Sequence, residues 1–311
     1  MFKFIDLFAG VGGFHLAFKS ENCVFASEID IYASETYKLN FPSTRLEGDI
    51  TKINEYDIPE HDILCAGFPC QPFSVAGYRK GFQDVRGTLF FDIARIVKYH
   101  RPKAVLLENV KNLENHDNGN TLKTIINILQ ELNYYVYYKI LNSAEYSNIP
   151  QNRERIFIVA FNKDSVLNYS CFKFPEPVEL TNTIHDFIEQ TKQDDVFYYN
   201  NTKYYDIFKE GMLNKNTVYQ WRRHYIRENK SNLCPTLTAN MGEGGHNVPI
   251  ICDDYGIRKL TPRECFNFQG YPKNFKLPKQ SNSKLYKQAG NSIVYPLVKK
   301  IADNILEIIN T

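Results

Sequence analysis

The first 160 residues alternate short apolar runs with segments of helical periodicity, and this alternation restricts the fold more than any other feature of the chain. The runs "FKFIDLF", "CVFASEID", "DILCAGF" and "KAVLLENV" have the length of strands, and segments such as Tyr32 to Leu39 and Thr121 to Leu132 have helical spacing. The runs "YYVYYKIL" and "RIFIVAF" close the series. Continuous apolar strands that alternate with helices predict a parallel sheet covered by helices on both faces. The predicted class is therefore α/β with a doubly wound sheet.

The pattern changes near Pro175 to Pro177. Residues 181–255 are polar, aromatic and irregular, and the last 17 residues, "YPLVKKIADNILEIINT", return to a helical period. A chain of 311 residues is long enough for two domains. The sequence predicts a large sheet domain of residues 1–180 and 275–311, with a smaller domain of residues 181–274 inserted in it.

Charged residues are balanced in number but unevenly placed. The chain has 37 Lys and Arg against 35 Asp and Glu. Residues 258–300 include ten basic residues and one acidic residue, and residues 215–230 include five basic residues and one acidic residue. Such clusters predict either a face for a phosphate backbone or a solvated lysine-rich surface.

Cysteine spacing and hydropathy argue against several classes of protein. The seven cysteines are irregularly spaced and include no pair with zinc-finger spacing, so no metal site is predicted. The N-terminus does not read as a signal peptide, and no apolar run approaches the length of a membrane span. We expect a soluble, reduced protein of the cytoplasm.

The turn "DLFAGVGGFH" follows the first predicted strand. Its glycines, Gly10 and Gly12, allow close approach of a ligand. His15, however, occupies the third position of a dinucleotide fingerprint, which weakens an NAD-dependent oxidoreductase reading.

Glu28 ends the second strand and is placed to accept hydrogen bonds from ribose hydroxyls. Asp49 is placed to accept from an adenine amino group, with Ile50 packed on the base. Each acid alone is more typical of a helix cap, but together they outline an adenosine site.

Cys70 lies in "GFPCQPF", between Pro69 and Pro72. The prolines stiffen the segment around the thiol, and Gly67 and Gly77 flank it as points of backbone freedom. This frame suits a nucleophile presented to a substrate, whose reactive form is the thiolate. The alternative is a buried cysteine that serves as a small hydrophobic side chain.

Two further motifs carry charge at strand ends. Glu108 closes the apolar run "LLENV" and is placed to donate a proton, unless it is a simple capping acid. Arg153 and Arg155 in "IPQNRER" fall on one side of the next strand by its period of two. They are predicted either to face Cys70 and Glu108 and orient a base or an anion, or to be surface charges.

Six motifs occur in the order found in cytosine-5 DNA methyltransferases, and the chain resembles the small bacterial members of that family. The motifs are Asp6 to Gly13, Gly67 to Gln71, Glu108 to Val110, Gln151 to Arg155, Arg258 to Glu264 and Gln288 to Val294. The resemblance covers residues 1 to about 180 and 256–311. It implies a Rossmann-like methyltransferase domain that binds S-adenosylmethionine, with an inserted target-recognition domain that binds double-stranded DNA.

The resemblance also implies a role for each motif. Cys70 would add to C6 of a flipped-out cytosine, and Glu108 would hold N3 and donate a proton, with Arg155 and Arg153 holding O2 or the adjacent backbone. C5 would then take the methyl group, leaving S-adenosylhomocysteine. The implied cofactor contacts are Phe8, Gly10, Gly12, Gly13, Glu28, Ile29, Asp49, Ile50, Pro69, Leu89, Asn291 and Ser292. Ile29 stands where the family usually has a larger aromatic residue, so weaker stacking is expected.

DNA contacts are predicted in two regions. The segment "SVAGYRKGFQDVRG" would close over the extruded base, and Ala76 stands where a member of the family has a serine. In "VYQWRRHYIREN", arginine would pair with guanine and glutamine with adenine. "CPTLTAN" resembles the element at which the family's recognition loops end. The predicted DNA-binding residues are Ala76, Arg79, Lys80, Arg86, Gln220, Arg222, Arg223, Thr236 and Thr238.

The resemblance favours one half of a restriction–modification pair. The enzyme would act as a monomer in a bacterial cytoplasm, on nucleoid DNA, and its endonuclease would be linked by function and not by binding. A tRNA cytosine-5 methyltransferase is the rival within the family. A non-catalytic DNA-binding regulator is the rival outside it, but such a protein would not need Cys70 and Glu108 together.

Overall fold

The computed structural model describes residues 2–18, 22–69, 89–222, 224–229, 231–243 and 247–310. The chain forms two compact units. The first unit comprises Met1–Leu141, Glu154–Pro175 and Val298–Thr311, and the second comprises Asn142–Arg153 and Glu176–Leu297. The longer segment of the second unit begins at Glu176, near the predicted change at Pro175. The unit also takes in residues 142–153 and 275–297, which the sequence pattern assigns to the sheet domain.

Strands and helices have the following bounds. The strands are β1 (Phe4–Leu7), β2 (Cys23–Ser27), β3 (Leu46–Glu47), β4 (Ile63–Gly67), β5 (Ala104–Val110), β6 (Tyr134–Asn142), β7 (Gln151–Asn152), β8 (Glu154–Asn162), β9 (Tyr219–Trp221), β10 (Ile226–Glu228), β11 (Cys234–Pro235), β12 (Ile250–Asp253) and β13 (Gly256–Lys259). The α-helices are Gly13–Ala17, Ile31–Asn40, Leu89–His100, Asn120–Glu131, Ser143–Tyr146, Tyr205–Gly211, Pro262–Phe268, Asn282–Asn291 and Tyr295–Asn310.

The first unit is built on one large sheet. Within the described residues, its strands run in the order β3-β2-β1-β4-β5-β8-β6. β3, β2, β1, β4 and β5 pair in parallel, and β8 pairs antiparallel with β5. The predicted α/β class with a largely parallel sheet is confirmed. β6 is the other neighbour of β8 in the sheet, and only residues 143–153 connect the two strands. Parallel neighbours need a longer crossover, so this short connection favours an antiparallel β8.

Helices cover the central strands of this sheet and bury their apolar sides. Leu64, Leu107 and Ile158, on three neighbouring strands, are at most 1% exposed. Ile93 and Ile125, from the helices Leu89–His100 and Asn120–Glu131, are fully buried in the same cluster. Strands that are apolar on both faces need such cover, which is why their runs carry almost no polar residue.

A buried histidine lies two residues before β4. His61 is 8% exposed, its Nδ1 lies 2.8 Å from the carbonyl oxygen of Pro59, and its ring lies 4.7 Å from that of His100. Burial lowers the pKa of His61 to about 4. The hydrogen bond to Pro59 O opposes the shift, His100 adds to it, and Asp62 also opposes it. The imidazole is therefore neutral in the folded chain over most of the physiological range.

We expect His61 to make the stability of the first unit depend on pH. Its pKa lies near 6.5 when unfolded and about 4 when folded, so the unfolded chain binds the extra proton between these values. The free energy of unfolding therefore falls as pH drops from about 6.5 towards 4, by about 3 kcal/mol from this group. Urea unfolding followed by circular dichroism, with His61→Gln beside the wild type, measures the difference between the two pH profiles. His185→Gln, at an exposed histidine, is the control; a His61→Gln profile parallel to the wild type contradicts the assignment.

The second unit has its own small sheet and an aromatic core. Within the described residues, β10-β9-β12-β13 form an antiparallel sheet, and β7 and β11 form a short parallel pair. Phe208 and Tyr219 are at most 1% exposed in its centre. Trp221, the single tryptophan of the chain, packs edge-on against Phe208 with 5.1 Å between ring centroids. Trp221 therefore reports on the packing of this unit.

A buried ion cluster joins the parts of the second unit. The side chains of Arg258 and Glu264 are both 0% exposed, and the guanidinium donates to both carboxylate oxygens at 2.7 Å. Arg258 Nε also lies 2.5 Å from Asp253 Oδ2. Glu264 accepts from the backbone N–H groups of Glu189 and Thr261, each at 2.7 Å. The pKa of Arg258 is raised because these acids outweigh its burial.

Replacing Arg258 with alanine is expected to destabilise the second unit by about 3–5 kcal/mol, because it leaves a buried carboxylate without its partner. The fluorescence of Trp221 during urea unfolding measures the loss. Lys192→Ala is the control, since its ion pair with Asp195 is exposed on both sides and worth little. Equal unfolding midpoints for the two variants would show that the buried cluster does not stabilise the fold.

No helix in the described ranges is long and apolar enough to cross a membrane. Across those same ranges, no group of three or more His, Cys, Asp or Glu side chains is arranged to hold a metal ion.

Candidate active site

The glycine turn after β1 has a backbone that other residues rarely adopt. Gly10 has φ of 54° and Gly12 has φ of 90°. A Cβ on Gly12 would lie 2.3 Å from the ring of Phe41, so the turn needs glycine for space as well as for conformation. His15 is fully buried behind the turn and stacks on Phe41 at 3.8 Å. The third position of the dinucleotide fingerprint is thus filled by a core side chain.

Glu28 holds this turn from the end of β2. Its two carboxylate oxygens accept from the backbone N–H groups of Gly10 and Asp30, each at 2.7 Å. Burial raises the pKa of Glu28, and these two hydrogen bonds oppose the rise. A carboxylate has four acceptor positions, so these hydrogen bonds leave capacity for a hydroxyl group of a ligand. Glu28 therefore both fixes the glycine turn and keeps capacity to bind.

A groove of about 440 Å³ opens beside Glu28. Ile29 and Ile31 line it and are 69% and 73% exposed, which is unusual for isoleucine. Leu46, Glu47 and Gly48, at the end of β3, form another part of its wall. An exposed apolar wall next to a carboxylate fits a nucleoside, with the base on the isoleucines and the ribose at the acid.

The structure gives Asp49 and Ile50 other contacts than those predicted for them. Asp49 caps the short 3₁₀ turn Ile50–Lys52, and its Oδ1 accepts from Thr51 N and Oγ1 at 3.1 and 2.8 Å. The hydroxyl hydrogen bond is the main reason that the pKa of Asp49 is lowered. Ile50 is 3% exposed and packs in the core of the unit. The capping role is therefore present, and Ile50 offers no open face to a base.

The other predicted cofactor contacts divide between the two units. In the first, Phe8 has φ of 55°, Gly13 begins the helix after the turn, Pro69 is exposed and Leu89 begins the helix Leu89–His100. Asn291 and Ser292 belong to the second unit. There Asn291 is exposed, and Ser292 Oγ donates to Ala289 O at 2.9 Å.

An ion pair joins the ends of β5 and β8. Arg155 Nε lies 3.1 Å from Glu108 Oε1, and the two side chains are 15% and 12% exposed. Glu108 pairs in the ladder with Gly67, the last residue of β4, and a Cβ on Gly67 would come 3.8 Å from Glu108 Oε2. In the described part of the chain Oε2 accepts no hydrogen bond. The predicted approach of Arg155 to Glu108 is thus present.

Asn109 fixes the segment that leads from β4 towards Cys70. Its Nδ2 donates to Phe68 O at 2.8 Å, and the side chain is 3% exposed. This buried hydrogen bond ties the end of β4 to the end of β5, next to Glu108. Asn109, which sequence reasoning treated only as part of a motif, therefore positions the residues that precede Cys70.

Arg153 is not placed as predicted. β7 ends at Asn152 and β8 begins at Glu154, so the period of two does not run through Arg153. Its side chain is 2% exposed in the second unit and donates to Leu237 O, Gly290 O and Ser292 O at 2.6, 3.1 and 2.8 Å. A guanidinium that donates to three carbonyl groups stabilises its own unit, so the structure gives Arg153 a structural role. Of the two arginines, Arg155 is the one that pairs with Glu108.

Several predicted residues lie outside the described residues. These are Cys70, Ala76, Arg79, Lys80, Arg86 and Arg223.

The remaining predicted DNA contacts lie in the second unit. Thr236 Oγ1 donates to Asn152 O at 2.6 Å, and the hydroxyl of exposed Thr238 donates to Asn240 Oδ1. Gln220 and Arg222 lie on the hairpin of β9 and β10, where Arg222 Nη2 donates to Gln220 Oε1 at 3.0 Å. Arg227, which sequence reasoning counted among the basic residues but did not single out, donates to the same oxygen.

Known proteins resemble the chain over its whole length. The sequence model of the C-5 cytosine-specific DNA methylases matches residues 2–307. The type II methyltransferase M.Bsp6I of Bacillus sp. (strain RFL6) is 52% identical over 98% of both chains. M.HhaI of Haemophilus parahaemolyticus is 43% identical over 97% of this chain and 94% of its own. The crystal structure of the S. pombe Dnmt2 methyltransferase has a TM-score of 0.76 over all of both chains at 21% identity, which is a likeness of fold.

Proposed function

Since this chain belongs to the C-5 cytosine-specific DNA methylase family and is a cytosine-5 DNA methyltransferase, we propose that it methylates a flipped-out cytosine within a short specific sequence of duplex DNA, using S-adenosylmethionine. We propose further that it protects that sequence from a cognate restriction endonuclease, as the type II names of its relatives suggest.

One observation carries the proposal: the candidate residues of the first unit lie at or near the carboxyl ends of the neighbouring strands β2, β1, β4 and β5. The glycine turn follows β1, Glu28 follows β2, Gly67 ends β4, and Glu108 is paired with Gly67 near the end of β5. The carboxyl ends of parallel strands meet at the same edge, which is where doubly wound sheets bind ligands. A methyl donor and a base would therefore be brought together there.

The cofactor site is proposed from the chemistry of its walls. Glu28 would accept from the ribose hydroxyls, the Ile29 and Ile31 side chains would cover the adenine, and Gly10 and Gly12 would allow close approach of the backbone. Bound S-adenosylmethionine would supply an electrophilic methyl group. The isoleucines bury an adenine but lack the quadrupole of an aromatic ring, so we expect a hydrophobic contact without stacking.

The chemical step is proposed for Cys70, Glu108 and Arg155. The Cys70 thiolate adds to C6 of the cytosine, while N3 takes a proton from Glu108, so that the electron pair reaches C5. C5 would then take the methyl group as the bond between the methyl carbon and the cofactor sulfur breaks, which would leave S-adenosylhomocysteine. Loss of the C5 proton to a solvent base, with departure of the Cys70 thiolate from C6 and return of the N3 proton to Glu108, would give 5-methylcytosine. Arg155 keeps Glu108 oriented throughout and has further N–H groups for the base O2.

The second unit is proposed to recognise DNA, with residues 181–274 as its target-recognition region. Its exposed arginines on the β9–β10 hairpin are suited to a nucleic acid, and the first unit is then the catalytic part. We propose a monomer that acts on nucleoid DNA in a bacterial cytoplasm. The endonuclease would share its recognition sequence without binding the methyltransferase.

Transfer of tritiated methyl groups from S-adenosylmethionine to mixed-sequence duplex DNA tests the proposal, with bisulfite sequencing of the product. We expect label at C5 of cytosine in one short sequence context. Label on tRNA in place of DNA would favour a tRNA methyltransferase, and no label on either would overturn the proposed activity. Resistance of the methylated DNA to an endonuclease of the same specificity tests the protective role.

A further inference from the structure

The β9–β10 hairpin holds two cations against one amide. Arg227 lies directly opposite Gln220 in the antiparallel ladder. Tyr219 and Trp221, on either side of Gln220, turn into the aromatic core, so Gln220 and Arg227 lie on the outer face. Arg222, two residues after Gln220, returns to the same face.

The chemistry of these groups fixes which atom of the amide they meet. A guanidinium carries N–H groups only, so the atom that accepts from both Arg222 and Arg227 must be the oxygen of Gln220. The nitrogen of that amide then remains as a donor. The outer face of the hairpin therefore presents N–H donors and no open amide acceptor.

Two arginines held side by side repel each other unless an anion or an acceptor-rich group lies nearby. In the described part of the chain neither Arg222 nor Arg227 forms an ion pair with an acid. Glu228, the acid next to Arg227, turns the other way and accepts from Asn214 Nδ2 at 3.3 Å. Among the described residues of the second unit no acid complements these two arginines, and this points to a partner outside the unit.

The bases differ in what they offer such a face. In the major groove adenine presents one acceptor and one donor, and cytosine presents a donor, so both call for an acceptor on the protein. Guanine alone presents two acceptors, N7 and O6, side by side. The expected pairing of Gln220 with adenine is therefore disfavoured, because the oxygen it needs is already used.

We propose that the hairpin reads a guanine of the recognition sequence through Arg227, with Gln220 as the residue that positions it. Arg227 is favoured over Arg222 because it lies within the strand ladder, which limits its freedom, whereas Arg222 lies beyond the end of β9. This inference rests on the proposed function, since it assumes that duplex DNA is the substrate.

The test replaces each guanine of the methylated sequence, one at a time, with 7-deazaguanine, which lacks the N7 acceptor. For the wild type we expect one replacement to lower kcat/KM about 10-fold, and Arg227→Ala to lower it about 10- to 100-fold on the unmodified duplex. For Arg227→Ala that same replacement should have no further effect. Gln220→Leu should weaken discrimination at the same guanine, while Gln220→Glu, which keeps the acceptor for both arginines, should preserve it.

Two controls separate guanine recognition from attraction to phosphate. Lys209→Ala removes an exposed charge from the helix Tyr205–Gly211 of the same unit and should weaken binding equally for all duplexes. Arg227→Lys keeps the charge but loses the two-pronged geometry, so it should restore salt-dependent binding without the guanine preference.

The proposal is overturned if 7-deazaguanine affects the wild type and Arg227→Ala equally at every position, or if Arg227→Ala merely behaves like Lys209→Ala. In either case methyl transfer by the wild type still stands. Absence of methyl transfer to any duplex is a different result, which removes the proposed function itself.

Discussion

The Cys70→Ser variant is expected to bind duplex DNA about as well as the wild type and to transfer no detectable methyl group. C5 of cytosine is a poor nucleophile until a group has added to C6. A thiol with a pKa of about 8.5 is ionised to a few per cent at neutral pH, whereas a serine hydroxyl is almost never ionised. The assay is tritium transfer from S-adenosylmethionine, with DNA binding measured in parallel by fluorescence anisotropy.

Cys171→Ser is the matched control, because Cys171 is an exposed free cysteine of the same unit. It should retain wild-type turnover, which shows that loss of a thiol alone is harmless. Turnover by Cys70→Ser within tenfold of the wild type would show that the reaction does not pass through a covalent bond to this residue. Loss of both turnover and DNA binding would mean that the variant fails before chemistry begins.

The parallel part of the large sheet could be predicted from sequence because its strands are apolar on both faces. Four such runs separated by helical segments leave few arrangements, and β1, β2, β4 and β5 lie where the runs are. The direction of β8 could not be predicted, since an apolar run reads the same whichever way it pairs. The short connection of residues 143–153 favours an antiparallel strand only if the strands that it joins are neighbours in the sheet. The sequence does not show that β8 lies between β5 and β6.

The candidate site was predictable where side chains follow directly from strand ends. Glu28 lies beside the glycine turn, and Glu108 meets Arg155, as the strand pattern predicts. Arg153 could not be placed in this way. The prediction assumed one continuous strand, but its three carbonyl partners lie 84 to 139 residues further along the chain, and no local pattern marks them.

Arg227 shows a different limit of prediction from sequence. The sequence marks it as one of several basic residues, and its alternation with Ile226 and Glu228 is visible. What the sequence does not contain is the register that sets Arg227 opposite Gln220. That register changes the meaning of the glutamine, from a reader of adenine to a support for two arginines.

Replacing Glu108 with glutamine is expected to lower kcat about 10²- to 10⁴-fold, with little change in the free energy of unfolding or in DNA affinity. A missing proton donor costs this much when the transition state needs the proton. The Glu108 side chain is only 12% exposed, but the fold should tolerate the change because glutamine has the same shape and its oxygen can still accept a hydrogen bond from Arg155. Single-turnover methyl transfer with saturating DNA measures the chemical step directly.

Glu154→Gln is the matched control for this variant. Glu154 lies one residue before Arg155 and forms an exposed ion pair with Lys111 at 2.8 Å, so its loss removes one carboxylate of β8 without touching Glu108.

Arg155→Ala should lower the rate as Glu108→Gln does, because both variants disturb the same carboxyl group. The rate loss of the double variant should be smaller than the product of the two single losses. Arg153→Ala should instead lower the stability of the second unit. If Glu108→Gln keeps its rate within tenfold of the wild type, the pair of Glu108 and Arg155 holds strands β5 and β8 together and the proton on N3 comes from elsewhere.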